Sequence, residues 1–199
     1  MKNTIVIIGA SGQGRVCADI ARLNGYAQVI FLDDGDAPNA AGKVNDYPRY
    51  LQDADFFVAI GNGAVRRRIQ TMLAENGASI ATLIHPSAVV AQDVRVGKGT
   101  AIMAGAVVNP GTTVGCGNII NTCASVDHDC CVGDYIHIAV GARICGTVHL
   151  EDDSWIGAGA VIIQGLSVCA GCLLGAGAVV VRSITEKGTY VGVPAKKVK

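Results

Sequence analysis

The strongest constraint on this chain is a six-residue repeat that begins at Ile84 and runs without a gap to Val180. The repeated position is aliphatic at all seventeen occurrences: Ile84, Val90, Val96, Ile102, Val108, Val114, Ile120, Val126, Val132, Ile138, Ile144, Leu150, Ile156, Ile162, Val168, Leu174 and Val180. A period of six fits neither an α-helix nor a simple alternating strand. It is the hexapeptide signature of a parallel β-helix, in which three hexapeptides make one triangular coil.

The repeat predicts five to six coils over residues 84 to about 183, with the aliphatic side chains inside a triangular prism. The residue two places earlier also points inward and is usually small, as at Ala88, Thr100, Ala106, Ala124, Ala142, Ala160 and Ala178. Glycine follows the aliphatic at five places, which are Gly97, Gly115, Gly133, Gly157 and Gly175. We expect these glycines at the corners of the coil, because glycine tolerates positive φ.

Residues 1–83 follow a different pattern, in which apolar strands alternate with amphipathic helical segments. The strands are predicted in TIVIIG, VIFLDD and DFFVAIGN, and the helices in residues 13–24 and in AVRRRIQTMLAENG. Alternation of this kind predicts a small parallel α/β unit. We therefore expect two domains, an α/β domain over residues 1–83 and a β-helix over residues 84–199.

The loops at the carboxyl ends of these strands are where a parallel sheet binds ligands. GASGQG resembles a phosphate-binding turn at a helix N-terminus, although it is not the dinucleotide fingerprint G-x-G-x-x-G. An NAD domain needs more strands than this segment supplies, so a nucleotide-sugar fits better, with Asp33 or Asp34 on a sugar or ribose hydroxyl. The alternative is a turn that needs glycines for its own geometry.

Charge and composition exclude some classes of protein. The formal net charge is zero, which gives no sign of binding to nucleic acid or to an anionic membrane. The first residues do not form a signal peptide and no apolar run reaches transmembrane length, so we expect a cytoplasmic protein without membrane insertion. The eight cysteines are then expected as free thiols, most of them packing residues.

Chemistry in the repeat region is concentrated in SVDHDCCVGDYIHIAV, where His128 lies between Asp127 and Asp129. A neighbouring carboxylate raises the basicity of an imidazole, which suits a general base near neutral pH. A surface histidine beside solvated acids is the alternative. A metal site is not supported, because no two of His128, His137 and His149 are eighteen residues apart, the spacing that stacks residues of successive coils.

Four segments together resemble one known family: GASGQG, FLDD, the stretch INT…HDCxVGDYxHIAVGA, and GTYVGVPAK near the end. Over essentially the whole chain they are similar to the PglD/NeuD-type sugar O-/N-acyltransferases, the hexapeptide-repeat enzymes that include the UDP-4-amino-sugar N-acetyltransferases. The resemblance implies a Rossmann-like nucleotide-sugar domain followed by a left-handed parallel β-helix. It also implies acetyl-CoA as co-substrate, no metal, and a homotrimer with active sites between subunits.

The resemblance also assigns roles to individual residues. His128 matches the catalytic base and Gly146 a backbone amide facing the oxyanion. Asp129 matches the acidic residue that raises the basicity of the base, and a shared role of Asp127 is the alternative. His137, Ala158 and Ala176 match positions that contact acetyl-CoA. The nucleotide-sugar contacts match Ser11, Gly12, Gln13, Asp33, Asp34 and Gly61. Gln13 departs from the usual histidine and cannot carry a charge.

The implied function is direct acetyl transfer to the amine of a UDP-linked 4-amino-4,6-dideoxy sugar, in bacterial surface glycan or glycoprotein sugar synthesis. An O-acetyltransferase acting on sialic acid or a related sugar is the alternative, because one base serves an amine or a hydroxyl. A non-catalytic sugar-nucleotide-binding scaffold is a second alternative.

Overall fold

The computed structural model describes residues 2–199 and begins with a parallel sheet of four strands. These are β1 (Thr4–Ile8), β2 (Gln28–Leu32), β3 (Ala54–Val58) and β4 (Ser79–Ile80), in the order β2-β1-β3-β4. Helices α1 (Gly12–Leu23) and α2 (Gly63–Glu75) and a 3-10 helix (Val44–Tyr50) connect them. The predicted α/β unit is confirmed. The two-residue strand β4 and the 3-10 helix were not predicted, because neither carries a recognisable period.

The rest of the chain is a left-handed parallel β-helix, as predicted. Its three walls are parallel sheets whose paired residues lie eighteen positions apart, and the spacing shortens to sixteen between Leu173 and Thr189. Wall 1 contains Leu83–Ile84, Ala101–Ile102, Ile119–Ile120, His137–Ile138, Trp155–Ile156, Leu173–Leu174 and Thr189–Val191, with Lys196–Lys197 antiparallel at its end. Wall 2 contains Val89–Val90, Val107–Val108, Ser125–Val126, Arg143–Ile144, Val161–Ile162 and Val179–Val180. Wall 3 contains Arg95–Val96, Thr113–Val114, Cys131–Val132, His149–Leu150 and Ser167–Val168.

The interior of the prism is built from the repeat itself. Aliphatic side chains from Ile102 to Val180 are buried in one continuous cluster, together with the small residues that precede them, such as Ala124 and Ala142. Burial of this apolar surface is the main favourable term in the folding of such a coil.

The role predicted for the glycines that follow the aliphatic residues is wrong. Positive φ occurs two residues later, at glycines such as Gly99 and Gly117, and also at Cys123, Asp129, Tyr135, Thr147 and Asp153. Gly97 does not have positive φ, but a Cβ there would lie 2.5 Å from the backbone of Gly115 in the next coil. Close stacking of successive coils, rather than corner conformation, therefore requires these glycines.

The α/β unit packs on wall 1 through α1. Outward-facing Leu83, Ala101 and Ile119 of wall 1 are buried in the same cluster as Cys17 and Ile20 of α1. The strand Leu83–Ile84 spans the predicted boundary between residues 83 and 84, and the division into domains at that point stays a prediction.

All eight cysteines are free thiols. The expectation that most would be packing residues is wrong, because only Cys17, Cys130 and Cys172 are buried. Between residues 2 and 199, no helix has the length and apolar character needed to cross a membrane.

Candidate active site

His128 lies in the corner where the chain passes from wall 2 to wall 3. Asp129 adopts positive φ, +57°, and its side chain turns back toward its neighbour. Nδ1 of His128 is 2.8 Å from Oδ2 of Asp129. Asp127 instead accepts the backbone N–H of His128 at 2.9 Å and the side-chain amide of Asn109 at 2.7 Å. Of the two flanking carboxylates, Asp129 is the one that contacts the ring.

This contact determines how the imidazole behaves. The hydrogen bond to Asp129, followed by the charge of Asp127, raises the pKa of His128 above its ordinary value. A carboxylate only accepts hydrogen bonds, so the pair requires the proton of the neutral ring on Nδ1 and leaves the lone pair on Nε2. The His128 side chain is 57% exposed, and among residues 2–199 Nε2 has no hydrogen-bond partner.

Gly146 lies one coil further along, directly beside the ring. A Cβ on Gly146 would be 2.6 Å from Nε2 of His128, so only glycine leaves room for this orientation of the imidazole. Within residues 2–199 the Gly146 N–H has no hydrogen-bond acceptor. A free amide beside a basic nitrogen is the arrangement that stabilises an oxyanion in acyl transfer.

The α/β unit has its own cavity of about 260 Å³ at the carboxyl ends of β1, β2 and β3. Four of the predicted residues line it, namely Ser11, Asp33, Asp34 and Gly61. Asp33 accepts the N–H groups of Ala10 and Gly35, each at 2.7 Å, and the bond from Ala10 is the largest cause of the lowered pKa of Asp33. Its carboxylate is therefore ionised and held in a fixed position.

Gly12 and Gln13 begin α1 beside this cavity but do not line it. The Gln13 side-chain amide lies 3.8 Å from Sγ of Cys17. Of the glycines in GASGQG, Gly9 has φ of +105° and a Cβ on Gly14 would collide with the carbonyl of Gly9, so turn geometry explains both. A Cβ on Gly12 would meet no heavy atom within 4 Å, and turn geometry does not explain that glycine.

Arg68 also lines the cavity and was not recognised from the sequence. It is the third of three consecutive arginines in α2, and nothing in their pattern separates a cavity-lining arginine from a surface one.

His137 is buried on wall 1 rather than exposed at a groove. Its Nε2 is 3.1 Å from the side-chain amide of Asn121, and its ring centroid is 4.2 Å from that of Trp155. Nδ1 is buried near Gly61, without a hydrogen-bond partner among residues 2–199. Burial, followed by the charge of Arg66, lowers the pKa of His137 to about 4. Asn121 was also missed at the sequence level.

Ala158 and Ala176 are exposed in the corner between walls 1 and 2, on successive coils. Within the described chain, the backbone N–H groups of both have no acceptor. His128 and Gly146 occupy the other edge of wall 2, between walls 2 and 3. A single chain therefore does not bring the two groups together. Among residues 2–199, no cluster of three or more His, Cys, Asp or Glu side chains is arranged to hold a metal ion.

Comparisons with known proteins give matches to sugar N-acetyltransferases. Residues 4–73 match the PglD N-terminal domain. The GDP-perosamine N-acetyltransferase of Escherichia coli O157:H7 is 37% identical over 219 residues, covering 99% of this chain and 97% of the relative.

Two solved structures have the same fold over almost the whole chain. The acetyltransferase domain of PglB from Neisseria gonorrhoeae FA1090, in complex with acetyl coenzyme A, has a TM-score of 0.95 and 36% identity, covering 100% of both chains. A mutant of GDP-perosamine N-acetyl transferase from Caulobacter crescentus, in complex with CoA and GDP-perosamine, has a TM-score of 0.93 and 33% identity, covering 98% of this chain and 97% of that one.

Proposed function

We propose that this chain, which belongs to the PglD-type sugar acetyltransferases, transfers the acetyl group of acetyl-CoA to the amine of a UDP-linked 4-amino-4,6-dideoxy sugar. The product would enter a bacterial surface glycan or glycoprotein. We also propose a cytoplasmic location, because acetyl-CoA and nucleotide-sugars are made and used in that compartment.

The observation that carries the catalytic proposal is the 2.8 Å contact between Nδ1 of His128 and Asp129, which leaves Nε2 without a hydrogen-bond partner among residues 2–199. His128 is the general base and Asp129 raises its basicity. The sugar amine attacks the thioester carbonyl while Nε2 takes the proton that the nitrogen loses. The carbonyl electrons move to oxygen, where the Gly146 N–H stabilises the oxyanion. Collapse then expels the coenzyme thiolate, which the imidazolium protonates.

The acceptor is assigned to the cavity of the α/β unit. The residues proposed to hold it are Ser11, Gly12, Gln13, Asp33, Asp34 and Gly61. The first turn of α1 contains no acidic residue and Ser11 makes no capping hydrogen bond, so the N-terminus of the helix is open to a diphosphate. The fixed carboxylate of Asp33 suits a sugar or ribose hydroxyl. This assignment treats residues 1–83 as the nucleotide-sugar domain and residues 84–199 as the acyltransferase domain.

A homotrimer is proposed because it brings one edge of wall 2 in one copy next to the opposite edge of wall 2 in the neighbouring copy. Four of the six outward side chains of wall 2 are valines, Val89, Val107, Val161 and Val179, whereas those of wall 3 include no aliphatic residue. Three copies packed through wall 2 around a three-fold axis bury this apolar face. The edge with His128 and Gly146 in one copy then adjoins the edge with Ala158 and Ala176 in the next. Acetyl-CoA would bind between these two edges, with His137 of wall 1 on the same side as Ala158 and Ala176.

A GDP-linked amino sugar is the second candidate acceptor. The resemblance to the UDP-4-amino-sugar N-acetyltransferases favours UDP, and a UDP-N-acetylbacillosamine N-acetyltransferase is 34% identical over 52% of this chain. The relative aligned over 99% of this chain is instead a GDP-perosamine N-acetyltransferase. Both candidates use the same chemistry and differ only in the nucleotide base.

The decisive experiment measures release of free coenzyme thiol from acetyl-CoA. The acceptor panel contains UDP- and GDP-linked 4-amino sugars, the corresponding 4-hydroxy sugars, free amino sugars and sialic acid. We expect turnover only with a nucleotide-linked amine, and a loss of at least about 100-fold in kcat for His128→Ala without loss of acetyl-CoA binding. Turnover with sialic acid alone would indicate the O-acetyltransferase. Binding without turnover across the panel would indicate a scaffold.

A further inference from the structure

Arg66, in the first turn of α2, is a buried charge that the catalytic proposal does not use. The residue is 0% exposed, and among residues 2–199 its guanidinium forms no ion pair. A buried charge without a carboxylate partner is stable only where hydrogen bonds replace the lost water. Burial lowers the pKa of Arg66 to about 10, which leaves the group charged at neutral pH.

The guanidinium donates its hydrogen bonds to carbonyl groups in three separate segments of the backbone. Nη1 donates to the carbonyl of Ile60 at 2.7 Å and to that of Gly61 at 2.9 Å. Nε donates to the carbonyl of Gly117 at 2.6 Å, and Nη2 to that of Tyr135 at 3.0 Å. The planar fork of a guanidinium makes this possible, because its five N–H donors point in fixed directions.

These segments connect the nucleotide-sugar cavity to the β-helix. Ile60 and Gly61 line the cavity in the loop after β3. Gly117 and Tyr135 lie in the corner between walls 3 and 1, on successive coils. A Cβ on Gly61 would be 3.9 Å from both Nδ1 of His137 and the ring of Trp155, so the loop rests directly on wall 1.

We propose that Arg66 is a positioning residue, which fixes the nucleotide-sugar cavity on the β-helix and thereby sets where the acceptor amine lies relative to acetyl-CoA. The proposal rests on the proposed function for the location of the acceptor. Displacement of a reactant by about 1 Å can lower a rate by about 100-fold, so a small shift of the Ile60–Gly61 loop is sufficient.

Arg67 supplies a matched control, because it also joins α2 to the β-helix but makes no hydrogen bond to the cavity loop. Its guanidinium contacts Asp152 and Asp153, each at 3.1 Å, and lies 4.3 Å from the ring centroid of Tyr135. If Arg66 only held the two parts of the chain together, loss of Arg67 would have the same consequences.

The test compares Arg66→Met, Arg66→Lys and Arg67→Met with the wild type. The measurements are thermal unfolding, kcat, KM for each substrate, and calorimetric binding of UDP, GDP and acetyl-CoA. We expect Arg66→Met to lower kcat by about 100-fold and to weaken nucleotide binding, while affinity for acetyl-CoA stays within about twofold. Arg67→Met should keep kcat and both KM values within about threefold. Arg66→Lys, which retains the charge but not the fork, should lose about tenfold in kcat.

The proposal is wrong if Arg66→Met folds and keeps kcat/KM for the nucleotide-sugar within threefold of the wild type. It is also wrong if Arg67→Met lowers kcat and nucleotide binding as much as Arg66→Met does. The same holds if the Arg66 variants lose as much affinity for acetyl-CoA as for the nucleotide. If Arg66→Met does not fold, the same criteria apply to Arg66→Lys. Absence of turnover in the wild type would overturn the proposed function instead, and UDP and GDP binding would still test Arg66.

Discussion

His128 and Gly146 form one unit across two coils of the β-helix. The imidazole lies over the backbone of Gly146 so closely that a Cβ on that residue would be 2.6 Å from Nε2. The same ring is held from the other side by Asp129 through Nδ1. The orientation of the His128 ring is therefore determined by the carboxylate of Asp129 at Nδ1 and by the absence of a side chain on Gly146 beside Nε2.

Gly146→Ala should inactivate the enzyme through His128. The new methyl group forces the ring to rotate, which breaks the bond to Asp129, and we expect kcat to fall by about 100-fold while acetyl-CoA still binds. A double-mutant cycle with His128→Ala is the control. Without the ring the clash disappears, so Gly146→Ala should then be neutral in urea unfolding or stabilise by up to about 1 kcal/mol. Unchanged kcat in the single variant would contradict the steric argument.

Asp129→Asn should shift the pH dependence of kcat/KM. The carboxylate raises the pKa of His128, and the base acts in its neutral form, so activity declines as pH falls through this raised pKa. Asparagine adopts positive φ readily and keeps the shape of the contact but not its charge. The acidic limb should move to lower pH, and kcat at high pH should fall about tenfold because the base is weaker.

Asp127→Asn is the control for that experiment. Asp127 acts on His128 through its charge and its bond to the backbone N–H, without touching the ring. Its effect on the acidic limb should therefore be smaller than that of Asp129→Asn. A larger shift in Asp127→Asn would reverse the assignment of the two carboxylates.

The coils were predictable because an aliphatic residue recurs at every sixth position seventeen times in succession, which chance does not produce. The contact between His128 and Asp129 was only partly predictable. Adjacent residues of a strand point to opposite faces, so contact requires a corner, and five corners place a non-glycine residue such as Asp129 at positive φ. No glycine marks those corners in the sequence.

Contacts between the α/β unit and the β-helix could not be predicted. Arg66, Arg67 and Arg68 are identical side chains at consecutive positions, yet one binds backbone carbonyls, one pairs with Asp152 and Asp153, and one lines a cavity. Helical geometry points them in different directions, but what each meets depends on how α2 docks on the coils. Burial of His137 was missed for the same reason.

His137 should make the protein less stable in acid. Burial lowers its folded-state pKa to about 4, below the usual value near 6.5, so the unfolded chain binds a proton first as pH falls. Stability is lost through the window from about 6.5 to about 4, amounting to about 2 kcal/mol by pH 5. Urea unfolding at fixed protein concentration should show this loss reduced in His137→Gln. An equal loss in the variant would assign the effect to other groups.

Arg68→Gln should weaken binding of the nucleotide-sugar specifically. Arg68 lines the cavity that contains Asp33 and Asp34, where a diphosphate needs a cation to offset the two carboxylates. We expect KM for the nucleotide-sugar to rise about tenfold with little change in kcat, and the preference for UDP over UMP as an inhibitor to shrink. Arg22→Gln removes the same charge from the exposed last turn of α1 and should change neither value. If the Arg68 variant kept the wild-type preference for UDP over UMP, contact between Arg68 and the diphosphate would be excluded.

Val161→Arg should dissociate the proposed trimer and abolish activity together. Val161 faces outward from wall 2 between the two edges that carry the proposed catalytic and coenzyme-binding residues, and a charge buried at the three-fold contact is costly. Ser167→Arg places the same side chain on exposed wall 3 and is the control. Light scattering should give the mass of one chain for Val161→Arg and of three for Ser167→Arg and the wild type. A monomeric variant with full activity would mean that each chain holds a complete site, and the argument from opposite edges of wall 2 would be wrong.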